Sequence, residues 1–301
     1  MREELFKNCT LCPRKCNVNR LEGKRGYCGM DGTIRAARAA LHMWEEPCIS
    51  GKKGSGAVFF LWLRLAVLFL ARTGILPLGI PGKEISVERL AEIFLELQEK
   101  GAANLNLVTG AHYVPHIISA LELARGKGMN LPVVYNSSGY ESVETIRRLD
   151  GYVDVYLPDM KYMEPELAAA FSNARDYPQA AQSAIAEMMR QTGPCQFAEN
   201  GYIKRGTIVR HLILPGHTKN SIAVLKYLYR TYGEDIFISV MNQYTPVWKN
   251  EKFPELNRKV TRREYEKVLD AAIELGIENG YFQEGETAEE SFIPAFDYEG
   301  V

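Results

Sequence analysis

Four of the six cysteines in this 301-residue chain fall within its first 28 residues. Two residues separate Cys9 from Cys12, three separate Cys12 from Cys16, and Cys28 follows after eleven more. Gaps this short let four thiolates meet at one metal, and Pro13, Gly26 and Gly29 supply the tight turns. Thiolates select zinc or iron–sulfur, and spacing leaves the two open. Such crowding in so long a chain fits a metal site in a reducing, cytoplasmic setting better than a disulfide framework. Cys48 and Cys195 stand alone and read as buried thiols.

A second set of polar residues follows a run of short apolar segments. In chain order these are Thr109-Gly110-Ala111-His112, Asn136-Ser137-Ser138-Gly139, Pro158-Asp159-Met160-Lys161, Arg210-His211 and Asn242-Gln243-Tyr244. Singly, each reads as a cap or turn residue. Together at one rim, they suit a small ligand bearing amine, carboxylate and hydroxyl groups. His42, His112, His116, His211 and His217 have no ligand spacing and read as structural. Nucleophile elbow, phosphate loop and HExxH patterns are absent from the sequence.

The elements that must position these residues alternate. Strands are expected at 57–60, 104–108, 132–135, 153–157, 207–214 and 236–241. Ser86 is placed to cap a helix whose apolar residues Val87, Leu90, Ala91, Phe94 and Leu97 share one face, with Gly101 ending it. Further helices are expected at 114–124, 141–149, 165–172, 178–191 and 220–232. Thr261 with Glu264 forms a capping box for one running to Leu275. Six strand-then-helix units with β-branched strands describe an α/β fold with a parallel sheet, either a barrel or doubly wound. In both, ligands bind at the C-terminal strand ends. Residues 1–56 read as a Cys-rich metal-organised segment and 57–301 as the α/β unit.

Composition narrows the function classes. Lys and Arg total 36 against 37 for Asp and Glu, so there is no basic excess for nucleic acid or an anionic membrane. The charged start, Met1-Arg2-Glu3-Glu4, does not read as a secretory signal. Ala57–Ala71 is apolar except for Arg64, but its 15 residues fall short of the roughly 20 that a membrane helix needs. It reads as a buried strand running into a buried helix.

The phrases WEEPCISGKKGSGAVFF, NLVTGAHYVPHI, VVYNSSGYE, YLPDMKY, VRHLILPGHT, NQYTP, FPELNRK and IPAFDYEGV span nearly the whole chain. They resemble radical S-adenosylmethionine proteins related to the pyruvate formate-lyase activating enzyme. The nearest subgroup carries an added N-terminal segment like CTLCPRKC…GYCG. The resemblance implies a partial (β/α)6 TIM-like barrel with a small Cys-rich metal-binding segment, which holds zinc or a second cluster. It implies a 4Fe-4S cluster held by Cys-x3-Cys-x2-Cys after the first strand, with one iron left open for S-adenosylmethionine. The activity implied is generation of a 5′-deoxyadenosyl radical that takes hydrogen from a substrate. Asn136, Ser138, Asp159, Lys161 and Arg210 would then hold S-adenosylmethionine. A glycyl-radical protein is the analogous substrate, and flavodoxin or ferredoxin the electron donor.

This chain departs from that pattern at its centre. Where the family has Ser-Gly-Cys-x-Leu-x-Cys-x-Phe-Cys-Gln-Asn, the cluster positions hold Leu63, Val67 and Leu70. One hypothesis is a frame-shifted reading from residue 61 to about 78. Leu61-Trp62-Leu63 written CTC-TGG-CTG before the C of the Arg64 codon, shifted by one base, reads TCT-GGC-TGC, Ser-Gly-Cys. Val67 with the next leucine codon gives a second cysteine in that frame, and a further shift reads 70–73 as Cys-Gln-Asn. A third inserted base before Gly79 restores the register. Sequencing the gene over these codons tests the idea, and finding no cysteine codon in either shifted frame excludes it. The alternative is a barrel that has lost its cluster and acts as a binding or regulatory protein.

Overall fold

The computed structural model describes residues 4–61, 82–246, 249–283 and 296–301. The short helix α1 (Glu4–Lys7) opens the cysteine loop, and β1 (Ile34–His42) follows it. One turn of helix, α2 (Pro47–Ser50), precedes β2 (Ser55–Phe60). Next come β3 (Lys83–Ile85), α3 (Val87–Glu99), β4 (Leu105–Val108), α4 (Val114–Gly126), β5 (Val133–Ser137), α5 (Val143–Arg148) and β6 (Val155–Pro158). Then follow α6 (Pro165–Ser172), α7 (Tyr177–Thr192), β7 (Gln196–Phe197), β8 (Ile203–Leu212), α8 (Thr218–Tyr232), β9 (Phe237–Met241), α9 (Arg262–Leu275) and β10 (Gly280–Phe282).

Helix ends lie where the side chains fix them. Ser86 accepts from the Arg89 amide to start α3. Thr261 and Glu264 form the reciprocal capping box of α9. The six expected strands correspond to β2, β4, β5, β6, β8 and β9. The sheet runs β10-β9-β8-β6-β5-β4-β2-β1-β3, with β7 attached to β8. Strands β2 through β10 along that path pair in parallel, while β1 and β3 join antiparallel. It is a mixed α/β architecture with a mostly parallel sheet that does not close, a partial TIM-like barrel.

Strand alternation sends successive residues to opposite faces. Val58, Phe60, Leu105, Leu107, Val133 and Tyr135 pack outward with α3 and α4 residues such as Phe94 and Ile117. Val209, Ile238 and Val240 do the same with α6 to α9. The opposite, concave face carries a smaller apolar plug of Cys48, Ile49, Val134, Val155, Leu157, Ile203 and Ile208.

The antiparallel strand β1, from within the first 56 residues, lines β2 from Ala36 to His42. Sequence periodicity gave no strand there, because its alanines and arginines carry little β signal. The chain terminus returns to the same strand: the Ala39 amide donates to Glu299 and the Tyr298 amide to Ala37. Arg38 makes ion pairs with Asp297 and Glu299. Leu61 is buried after β2; Leu63, Val67, Leu70 and most of the Ala57–Ala71 run lie outside the described residues. No helix among the described residues is long and apolar enough to cross a membrane.

Candidate functional site

Above the apolar plug, the concave face turns polar. Asn106 projects from β4, Asn136 from β5, Asp159 follows β6, Arg210 lies in β8 and Ser239 in β9. The turn before α2 inserts Glu45 and Glu46 among them. That turn is stitched in place: Ser50 Oγ accepts from the Glu45 amide at 2.9 Å, and Asn104 Nδ2 donates to the Ile49 carbonyl at 2.8 Å. Gly51 ends α2 with φ of 47°, and a Cβ there would meet Tyr202 at 2.3 Å, so only glycine fits.

Arg210 is the hub. Its Nε donates to Asp159 at 3.0 Å, Nη1 to Glu45 at 3.2 Å and Nη2 to Asn136 at 2.6 Å. Asn106 and Asn136 both donate to the other Glu45 oxygen, at 3.1 and 3.2 Å. Lys161 completes the chain by pairing with the second Asp159 oxygen. Burial opposes the Asp159 charge, but Lys161 and Arg210 outweigh it and hold the carboxyl below its ordinary range. Burial pushes Glu45 and Glu46 upward, and the Arg210 cation offsets only part of this.

The loops after β5 and β6 are locked together. Tyr177 Oη lies 2.9 Å from both the Ser138 and Asp159 carbonyls and accepts from the Lys161 amide at 3.0 Å. Gly139 makes this possible: its φ is 77° and a Cβ would meet the Asp159 carbonyl at 2.1 Å. The structure therefore gathers Asn136, Asp159, Lys161 and Arg210 through their side chains, while the half-buried Ser138 is tied in through its carbonyl.

Sequence reading missed Glu45, Glu46 and Asn106. Two adjacent carboxylates just before Pro47 were the available signal, and a carboxylate pair reads equally well as a solvated turn. It also missed the role of β1. A cavity of about 170 Å³ lies beside its end, lined by Arg38, His42, Trp44 and Phe59 among others. Burial, with Arg38 and Arg210 nearby, keeps His42 biased toward neutral. The other histidines hold the frame. His211 contacts the Met160 carbonyl at 2.7 Å and Ser221 at 2.9 Å, and His112 lies 2.8 Å from the Leu61 carbonyl.

At the N-terminus, Cys12 lies within electrostatic reach of Cys9 and Cys28, and Cys28 within reach of Cys9 and Cys16. The Tyr27 amide points at Cys16 Sγ from 3.2 Å. Lys15 and Asn17 take left-handed backbone, and their amides bond back to the Cys12 and Cys9 carbonyls. Burial pushes Cys12 up to about 12 and raises Cys28. Among the described residues, no three Cys, His, Asp or Glu side chains converge tightly enough to form a metal cage. The donor chemistry nonetheless fits a thiophilic ion. Arg20, only 1% exposed, donates to the carbonyls of Asp31 and His112 and reaches Cys9 Sγ at 4.0 Å. A buried guanidinium at Cys9, also within electrostatic reach of Cys28, supplies counter-charge of the kind a metal–thiolate centre requires.

The 4Fe-4S cluster implied for the barrel fails the same test. Leu63, Val67 and Leu70 have hydrocarbon side chains with no lone pair for iron.

The fold and rim together define an open α/β barrel with a charged, buried network at its C-terminal strand ends. No family model matches the chain. It is similar to Uncharacterized protein MJ0674 of Methanocaldococcus jannaschii, 28% identical over 276 residues, which cover 90% of this chain and 75% of that one. Among solved structures, it has a TM-score of 0.44 and 12% identity to Streptococcus suis SuiB over 71% of its length. The chain spans 46% of that protein.

Proposed function

We propose that the protein is a barrel of the radical S-adenosylmethionine type, resembling the activating-enzyme subgroup, that binds S-adenosylmethionine at its rim. The carrying observation is the side-chain chain from Asn136 through Arg210 and Asp159 to Lys161 at the strand ends. Lys161 spends one of its three donors on Asp159 and can turn the others to the methionyl carboxylate. Arg210 is fixed by three acceptors and presents a permanent charge at a defined place. Asn136 and the Ser138 region offer polar edges for the hydroxyls.

Radical cleavage does not follow from this chain as it stands, because Leu63, Val67 and Leu70 cannot hold the cluster. The chain is expected to bind S-adenosylmethionine without cleaving it. Calorimetric titration should show binding that weakens at least tenfold in Lys161→Met. No binding in wild type sinks the reading. Given dithionite and S-adenosylmethionine, the chain should release no 5′-deoxyadenosine. Replacing residues 61–72 by the family motif, thiols at Leu63→Cys, Val67→Cys and Leu70→Cys included, should restore a brown chromophore and slow cleavage. The control carries Cys12→Ser and Cys16→Ser, so that a cluster at the N-terminus does not confuse the absorbance. Cleavage by the unaltered chain would mean that other residues carry the chemistry.

The N-terminal cysteines are read here as one zinc or cluster site. By analogy with the activating enzymes, the proposed substrate is a glycyl-radical protein and the proposed electron donor flavodoxin or ferredoxin.

A further inference from the structure

The sheet has an edge that the chain itself only half covers. On β1, the Ala39 amide and the Ala37 carbonyl are taken by the returning terminal segment, at Glu299 and Tyr298. Residues two apart on a strand face the same way, so Leu41 comes next along that edge. Gly56, its partner on β2, spends its own amide on the Asn104 carbonyl at 2.9 Å, on the side away from β1. Leu41 and Gly56 are therefore a pair that exchanges no ladder bonds. The Leu41 N–H and C=O point outward, and none of the described residues bonds to them or to the Met43 backbone. Natural edges of this kind carry Lys or Pro, or lie under another segment. From Leu41 to Trp44 there is no Lys or Pro, and Leu41, Met43 and Trp44 are 37%, 44% and 57% exposed.

The cavity of about 170 Å³ lies on this same stretch. Leu41 and Met43 line it, together with Ala40, His42, Trp44 and Phe59. Phe59 meets His42 edge to face at 5.8 Å and Phe296 at 5.7 Å, so the wall is aromatic. The guanidinium on that wall, Arg38, is neutralised by Asp297 and Glu299. A strand added beside Leu41 would send alternate side chains to the face where the cavity lies. A wall with no net charge accepts an apolar or aromatic side chain more readily than an acidic or basic one.

We propose that the edge of β1 at Leu41 and Met43 binds an extended peptide segment of a protein partner by strand addition, with one apolar or aromatic side chain of that segment seated in the cavity between His42, Trp44 and Phe59. The occupant is an extended chain because the edge offers main-chain groups in strand register, and the terminal segment already holds the preceding positions, Ala37 and Ala39, in that manner. The docking edge stands whether or not the rim takes S-adenosylmethionine, because it uses none of the donors of Lys161 or Arg210.

The probes are capped peptides Thr-Val-X-Val-Thr, with X as Phe, Ala or Glu, titrated against the full chain and followed by amide hydrogen exchange. The Phe peptide should bind at least tenfold tighter than the other two, and at saturation it should slow exchange of the Leu41 and Met43 amides at least tenfold. N-methylation of alternate peptide amides should abolish binding for one set and spare it for the other, because only one set faces β1. Leu41→Pro deletes an outward donor and leaves the β1–β2 ladder bonds in place, so it should weaken the Phe peptide at least tenfold. Met43→Pro, just beyond the strand, should do the same and serves if Leu41→Pro does not fold. No binding of any probe at millimolar concentration, unchanged exchange at Leu41 and Met43 in the saturated complex, or indifference to N-methylation overturns the proposal. Exchange at those amides that slows with rising protein concentration and no peptide would assign the edge to a second copy of the chain, and overturns it too. Failure of S-adenosylmethionine to bind, with peptide binding intact, counts against the rim reading alone.

Discussion

The cysteine loop and the barrel rim are both polar sites, but they are assembled over different lengths of chain. In the loop, the Tyr27 amide reaches Cys16 and Arg20 reaches Cys9, each across eleven residues. At the rim, Arg210 reaches Asp159 across 51 residues, Asn136 across 74 and Glu45 across 165. Short loops cost little to close, so the cysteines themselves are gathered by local chain, with Arg20 anchored on the His112 carbonyl of the barrel. The rim exists only once β4, β5, β6 and β8 have paired. Its charges are also buried, where each depends on the others for compensation. Damage should therefore spread through the rim and stay local in the loop.

The largest expected effect tests that coupling. Arg210→Leu strands Glu45 and Asp159 without their shared cation and should lower stability by roughly 3–5 kcal/mol in urea denaturation. Metal content at the cysteines should be unchanged. A loss below about 1 kcal/mol, within the range of surface pairs, would show that the rim is not a coupled network.

Glu141 sits between the two regions, buried beside Tyr135 and close enough to Cys12 to raise its thiol. Burial, only partly offset by hydrogen bonds from Ser137 and Tyr135, pushes its carboxyl from 4.5 to about 8. Between those values the folded state binds more protons than the unfolded state. Stability therefore falls as pH rises from about 4.5 to about 8, and the penalty is complete above that. Glu141→Gln should remove the penalty, gaining up to roughly 4–5 kcal/mol at alkaline pH and nothing near pH 4. Melting curves across pH check it, and an unchanged alkaline limb would refute it.

For the loop, zinc at a hundredfold excess over its Kd should stabilise the protein by about 2.7 kcal/mol. A chelator or the pair Cys12→Ser and Cys16→Ser should erase that gain while leaving the rim's ligand binding intact. Metal content equal in wild type and the double variant removes the claim. The smallest effect belongs to a site remote from both. Thr261→Ala takes one half of the α9 capping box and should cost about 1 kcal/mol without touching metal or ligand.

Much of this was legible from local pattern. Periodicity located the six parallel strands, and Ser86, Thr261 and Glu264 announced helix starts because caps are interactions within a few residues. The strand-end residues Asn136, Asp159, Lys161 and Arg210 were visible because a parallel sheet must bring its C-terminal ends together. The missing cluster ligands were equally plain, since Leu63, Val67 and Leu70 need no coordinates to be hydrocarbon. What only the tertiary structure decided was how those strand ends connect: Glu45 as the acceptor shared by β4, β5 and β8, β1 as an antiparallel flank with a cavity at its end, and Glu46 as a buried carboxyl beside Ser239 with one oxygen unpartnered. A Glu-Glu pair before a proline is chemically identical on a wet surface and in a barrel. Burial alone turns the one into an ordinary turn and the other into a site, and burial is set by contacts more than a hundred residues away, which no local pattern records.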